Sequence, residues 1–436
     1  MFFLAIPVVI FWHPYFFYIL DDWTALKLMV ENPFLKYLFS MEGEQLFPFF
    51  HLVYYGMIKI AGLNTSILII INALLTGIMS FMVFQFFRLH LRRFPALILS
   101  LIYLGASVHT STIFHAFNVC YILSFGFFVG ALLLTDRYLH RPSWLTLGGI
   151  GLGSLLAILS HNFSIMIISI IPLYGLLLGT KGARRDFWPL TALIGVLFLC
   201  FAAGYFACGG TTGATSHNRG VFLALPGPAY YHYIFTGWIL APNHHLFQTE
   251  LYFPLLFKLL LGPEFRFYGR FFIGVFFFLT AIGLIVLRGD NREKRLCLWI
   301  LLANLLPFIL VGLVRYQISF NQAFSPRYGV FTLMGVLLLF GLGWRIFTRN
   351  FSPRYPWTSL LALPLLALII AGQASGIDKW QQEYKKMSAM TRACYECLPK
   401  GDDLEVEEAR KLFCPENHSF LTKRQALEIR RFLEGR

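Results

Sequence analysis

Phe47 to Ala61 reads FPFFHLVYYGMIKIA, and the architecture of the chain turns on whether these residues cross a membrane. The stretch is apolar but short: about 15 residues at 1.5 Å rise reach roughly 22 Å, less than a hydrocarbon layer of roughly 30 Å. Pro48 stands where a helix can begin, Gly62 where one can end, and Lys59 puts a charge near its end. A helix lying in the outer interface is therefore expected here, not a span.

The charges on either side argue the same way. Basic residues gather in five short connections: Arg88, Arg92 and Arg93; Arg137 and Arg141; Lys181, Arg184 and Arg185; Arg288, Arg292, Lys294 and Arg295; and Arg345, Arg349 and Arg354. The positive-inside rule puts such connections in the cytoplasm. All five lie there together only if Phe47–Ala61 does not cross, because one more span would move every later cluster outside. Spans are then expected at 2–20, 66–87, 95–114, 119–135, 145–160, 163–179, 187–208, 271–287, 296–314, 329–347 and 357–373. The fold class is all-α and polytopic, with about eleven transmembrane helices, a cytoplasmic N-terminus and an extracytoplasmic C-terminus.

Composition supports a membrane protein. Hydrophobic residues are 57% of the 436 and charged residues 13%, a balance that fits repeated bilayer spans and excludes an ordinary soluble core. The net charge of +14 sits between apolar runs and not along one face, so it reads as a topology signal and no nucleic-acid partner is expected. Met1–Leu20 lacks a basic leader and a small-residue cleavage site before Asp21, and is read as a retained first span; the missing Lys or Arg leaves open a start further upstream. A transmembrane catalytic domain is expected over 1–374. It carries a membrane-hugging first outer loop, 21–65, and a long outer loop, 209–270, rich in Gly, Pro, Tyr and His. The final 63 residues hold 11 of the 22 acidic and 12 of the 36 basic residues, so 375–436 is read as a small soluble extracytoplasmic tail.

Asp21 and Asp22 directly follow the expected first span. Two adjacent carboxylates at a helix C-terminus oppose the helix dipole and each other, which points to a role in chemistry: one as general base, the other binding substrate or tuning the first. Arg315 and Arg327 flank a short outer loop, and Lys258, Arg266 and Arg270 lie in the long one; these are the candidate cationic clamps for a phosphate. Tyr328 follows Arg327 at the start of a span. The histidines are biased outward, His51 and His115 among them, but no spacing is diagnostic of a metal and no metal site is expected. Neither a P-loop nor a dinucleotide fingerprint occurs, and no cofactor is expected. Cys120, Cys200 and Cys297 are expected to be buried hydrophobes, whereas Cys208, Cys394, Cys397 and Cys414 face a compartment that permits disulfides.

The order Asp21-Asp22-Trp23 after span one, then Gly43-Glu44-Gln45-Leu46-Phe47-Pro48 opening the interfacial helix, then Ala61-Gly62-Leu63-Asn64 before span two, resembles the glycosyltransferase C superfamily. That group includes lipid A aminoarabinose transferases and protein O-mannosyltransferases. The resemblance is most secure over 1–90. It implies a sugar donor on a polyprenyl phosphate, an outward-facing site and a first-loop Asp as base. Where many relatives carry Arg or Lys before the loop proline, this chain has Leu46-Phe47, leaving that donor contact open. Trp23, Glu44, His51, His115 and Tyr328 are candidates for substrate contact, and the late Arg327-Tyr328 pair also resembles one in such transferases.

The expected function is that of an inverting glycosyltransferase in a membrane, the bacterial inner (plasma) membrane, using a polyprenyl-phosphate sugar and an outward-facing glycan, lipid or protein acceptor among membrane lipids. An O-antigen polymerase or ligase, in which Arg and His of the long loop matter most, is the first alternative. A lipid or glycan transporter is the second, but the chain shows few mid-span charges and no internal repeat.

Overall fold

The computed structural model describes residues 21–42, 45–179, 184–209, 227–247, 272–315, 326–351, 362–396 and 423–434. The expected first span at 2–20 lies outside them. The described residues are helical apart from turns and one two-stranded hairpin, which pairs Met41 with Leu46 and Glu42 with Gln45.

The described residues before Thr65 form short helices and the hairpin. α1 (Asp21–Glu31) buries Asp22, Ala25, Leu26 and Met29, a one-face stripe at helical spacing. Asp21 and Asp22 stand at the start of α1, and the end of the expected first span, which precedes them, lies outside the described residues. α2 (Phe34–Leu38) and the hairpin follow. α3 (Pro48–Ala61) begins with proline in its first turn and stops at Gly62, whose φ of +52° favours glycine. Its buried face carries Phe50, His51, Tyr54, Met57, Ile58 and Ala61, while Leu52 and Ile60 are exposed.

The bundle follows in order: α4 (Thr65–His90), α5 (Arg93–Leu104), α6 (Val108–Phe114), a 3₁₀ turn at Ala116–Asn118, α7 (Val119–His140), α8 (Trp144–Ser160), α9 (Ser164–Ile168), α10 (Ile170–Leu178) and α11 (Arg184–Ala207). After these come α12 (Pro228–Phe235), a π-helical turn at Thr236–Leu240, α13 (Ala241–Phe247), α14 (Phe272–Arg288), α15 (Asn291–Arg315), α16 (Pro326–Phe351), α17 (Ala362–Glu396) and α18 (Lys423–Leu433).

Among the described residues, four helical stretches are long and apolar enough to cross a membrane: Thr65–His90, Ala116–His140, Phe187–Ala207 and Tyr328–Asn350. A fifth results if α5 and α6, bent by 53° at their junction, count as one. Trp144–Ser160, Ser164–Leu178 and Gly274–Arg288 are apolar but shorter. The expected span at 95–114 is therefore bent, and that at 163–179 is a shorter apolar helix with a one-residue irregularity. Gly105 ends α5, and Ser169 separates α9 from α10. Of the long helices, α16 is central, with 78% of its apolar window buried, and α11 is peripheral, with 11%. Cys200, expected to be buried, is exposed on α11 for that reason, whereas Cys120 and Cys297 are buried.

α7 and α8 approach closely because α8 offers glycines to its neighbour. A Cβ on Gly149 would meet Leu134 at 3.0 Å, and one on Gly153 the Phe127 carbonyl at 3.4 Å.

Basic clusters from distant parts of the chain share one end of the bundle. Glu293, 3% exposed, caps α15 in a reciprocal box with Asp290, at 2.8 Å in both directions. The same carboxylate binds Arg345 at 2.5 Å and Arg349 at 3.3 Å on α16. Arg345 also donates to the His90 carbonyl at 2.6 Å, and Arg349 to that of Arg288 at 3.1 Å. Tyr174 joins in through Asp136 at 3.1 Å and the His90 ring at 3.3 Å. The ends of α4, α7, α10, α14 and α16 and the start of α15 thus converge.

The composition change near residue 374 marks no break in the backbone. α17 is one helix from Ala362 to Glu396, and its Gln373 side chain is a crosslink: it accepts from the Ser107 amide at 2.6 Å and donates to the carbonyls of His245 (2.7 Å) and Leu246 (2.6 Å). Further along, Tyr384 packs with Ile69, Ala73 and Phe114. α18 packs against α1.

Candidate functional site

Asp22 lies 1% exposed at the end of the bundle away from the basic clusters, where α4 and α7 begin and α8 ends. Its Oδ1 accepts hydrogen bonds from the Tyr54 hydroxyl at 2.9 Å and the Phe117 amide at 2.7 Å. Its Oδ2 faces His115 Nε2 at 3.6 Å, with His115 3% exposed. A buried carboxylate needs such donors to remain charged, and a protonated His115 adds opposite charge at ion-pair distance.

Each donor has a local cause. Tyr54 stands on the buried face of α3, three residues after His51. Phe117 lies in the 3₁₀ turn, which begins because His115 is extended (φ −119°, ψ 112°) and ends α6. Asn72, fully buried on α4, ties this corner down: its Nδ2 is 3.1, 3.4 and 3.3 Å from the carbonyls of Thr112, Ile113 and His115. Its two hydrogens are shared among the three.

A chain of aromatic and imidazole rings extends from the residues that hold the carboxylate, and in it Phe47 lies 6.3 Å from Phe117. The His51 ring lies against Tyr37 at 4.7 Å, with Nδ1 3.2 Å from the Leu38 carbonyl. His161 accepts the Phe163 amide on Nδ1 at 3.0 Å, so its neutral ring carries the proton on Nε2. That ring is 4.3 Å from Tyr121 and 5.4 Å from Phe47. Phe163 in turn lies 5.4 Å from Tyr328 in the first turn of α16.

No protein-family model matches this chain, and no curated protein matches it. The chemistry of the site is read from its own residues. Among those described, no group of three or more His, Cys, Asp or Glu is placed to hold a metal ion. A small cavity lined by Phe128, Trp299, Asn304, Thr332 and Gly335 includes none of the residues bonded to Asp22.

Of the candidates from sequence, Asp22 and His115 face each other, and Trp23 is buried beside Asp22. His51 sits one helical turn from Tyr54 and bonds elsewhere. Tyr328 joins through Phe163 and His161. The backbone of Arg327 is in the first turn of α16 and that of Arg315 closes α15, while the side chains of Asp21, Arg315 and Arg327 fall outside the described residues, as do Glu44, Lys258, Arg266 and Arg270. Sequence reasoning does not single out Tyr54, Asn72 or the Phe117 amide. Asn72 does carry a signal: it is an amide set among apolar residues within an expected span.

Proposed function

We propose that the protein is an inverting membrane glycosyltransferase that moves a sugar from a polyprenyl-phosphate donor to an acceptor hydroxyl on the extracytoplasmic side. In this reading the eleven spans of the charge map hold, the N-terminus is cytoplasmic, and the membrane is a bacterial inner membrane. The observation that carries the reading is Asp22: a buried carboxylate held by Tyr54 and Phe117 and faced by His115, at the end of the bundle opposite the basic clusters. Function is the usual reason for an ionisable group at membrane depth.

The chemistry requires one base and a place for a phosphate. The acceptor oxygen bonds to the anomeric carbon as the carbon–oxygen bond to phosphate breaks, and the electron pair leaves with the phosphate. The hydroxyl proton passes to a carboxylate oxygen. A single displacement inverts the anomeric centre. Asp22, fixed by two donors on one oxygen, suits the partner role, and Asp21 next to it is assigned the base. Arg327, Arg315 and Lys258 are assigned to the phosphate, whose charge grows as it leaves. Trp23, Glu44, His51, His115 and Tyr328 complete the proposed substrate contacts.

The test is mass spectrometry of envelope glycans from cells with and without the protein, followed by transfer from a synthetic polyprenyl-phosphate sugar in vesicles. Loss of one glycan substituent with the protein, and its transfer by purified protein, is the expected result. Unchanged glycans and no transfer from any polyprenyl-phosphate sugar would remove the reading. If long chains of repeating units disappear instead, and Arg or His changes within 209–270 abolish activity, the polymerase or ligase alternative takes its place.

A further inference from the structure

Asp22 and His115 are sealed from solvent. A carboxylate that serves a substrate has to be reached by it, so some part of the seal must part. The cover includes α1, α3 and the 3₁₀ turn, and α1 has a neighbour from the far end of the chain: α18.

The contact with α18 is specifically shaped. Ile429 and Leu433 are buried in the main apolar core, to which Trp23, Ala25, Leu26 and Met29 of α1 also belong, and α18 packs against α1. Phe432 lies 6.1 Å from the Tyr55 ring and takes the Lys59 ammonium 4.1 Å over its face. Where α3 ends, the Leu433 carbonyl comes so close that a Cβ on Gly62 would lie 2.9 Å from it. Gly62 is thus required both for its positive φ and for this approach. The contact joins α18 to the two helices that carry Asp22 and Tyr54.

We propose that α18 is a latch that holds α1 and α3 closed over Asp22, and that its release opens the carboxylate to substrate. The latch is built on Ile429, Phe432 and Leu433 of a short helix and on the Lys59 cation–π contact, whereas the central helix α16 is buried along most of its length. Local opening of the first loop is therefore expected far below the free energy of unfolding the bundle. The latch rests on the transferase reading only for what the opening serves.

Hydrogen exchange measured by mass spectrometry on full-length protein in vesicles tests it without an activity assay. In the double variant Ile429→Asp/Leu433→Asp, exchange over 21–31 is expected to rise at least about tenfold while 328–350 of α16 keeps its protection. Unchanged exchange over 21–31 would overturn the latch. So would equal loss of protection in α1 and α16, which would make α18 a part of the global fold. Failure of the wild-type protein to transfer sugar would count against the transferase reading and leave the exchange result standing.

Discussion

Tyr54 donates its hydroxyl to Asp22 Oδ1 at 2.9 Å, joining α3 to α1 across 32 residues of sequence. Through this bond α3 positions a carboxylate. Tyr54→Phe keeps the ring and removes the donor. A hydrogen bond to a charged group contributes about 1.5–3 kcal/mol. The variant is expected to lose stability on that scale in thermal or denaturant unfolding and to turn over more slowly. Wild-type stability together with wild-type turnover would show that the bond does not hold Asp22 in place.

At the opposite end, Glu293 gathers Arg345 and Arg349 and caps α15. Breaking a buried pair by removing one partner costs about 3–5 kcal/mol. Both arginines are over a third exposed, 37% and 47%, so the loss for Glu293→Gln should fall below that range. Thermal unfolding is expected to shift downward, with transfer per folded molecule unchanged because the site lies at the other end. A selective loss of transfer at normal stability would instead tie Glu293 to the chemistry.

The proposed orientation puts these two ends on opposite sides of the membrane. Single cysteines at Leu63, Arg92 and Arg292, all exposed or at the bundle's edge, separate the possibilities by labelling of intact cells with an impermeant maleimide. Labelling from outside is expected at 63 and not at 92 or 292. Outside labelling at 92 would mean that Phe47–Ala61 crosses the membrane and that the Asp22 end faces inward.

Much of the scaffold was legible because its signals are local. The helix at Pro48–Ala61 starts at a proline and stops at a glycine, and both are visible in the letters. Arg345 and Arg349 meet Glu293 and the carbonyls of His90 and Arg288, so members of separate basic clusters share one end of the described bundle. The details that failed depend on packing. The expected span at 95–114 bends by 53° where Gly105 ends α5, and Cys200 is exposed because α11 lies at the edge of the bundle. The composition changes at 374 within α17, which runs from Ala362 to Glu396, and Gln373 and Tyr384 fasten that helix to the bundle. At the site, Asp22 and His115 stood out by residue type. Their partners did not, because Tyr54 is one tyrosine among many and the Phe117 donor is a backbone amide with no sequence signature.

The most direct test of the proposed chemistry is the rate of sugar transfer by Asp21→Asn and Asp22→Asn from a synthetic polyprenyl-phosphate sugar in vesicles, with membrane insertion checked for each. Asn keeps the size and most hydrogen bonds of Asp but cannot take the acceptor proton. A fall of about 100-fold or more is predicted for the base, assigned to Asp21, and a smaller fall for Asp22. Near wild-type rates in both variants would contradict the mechanism.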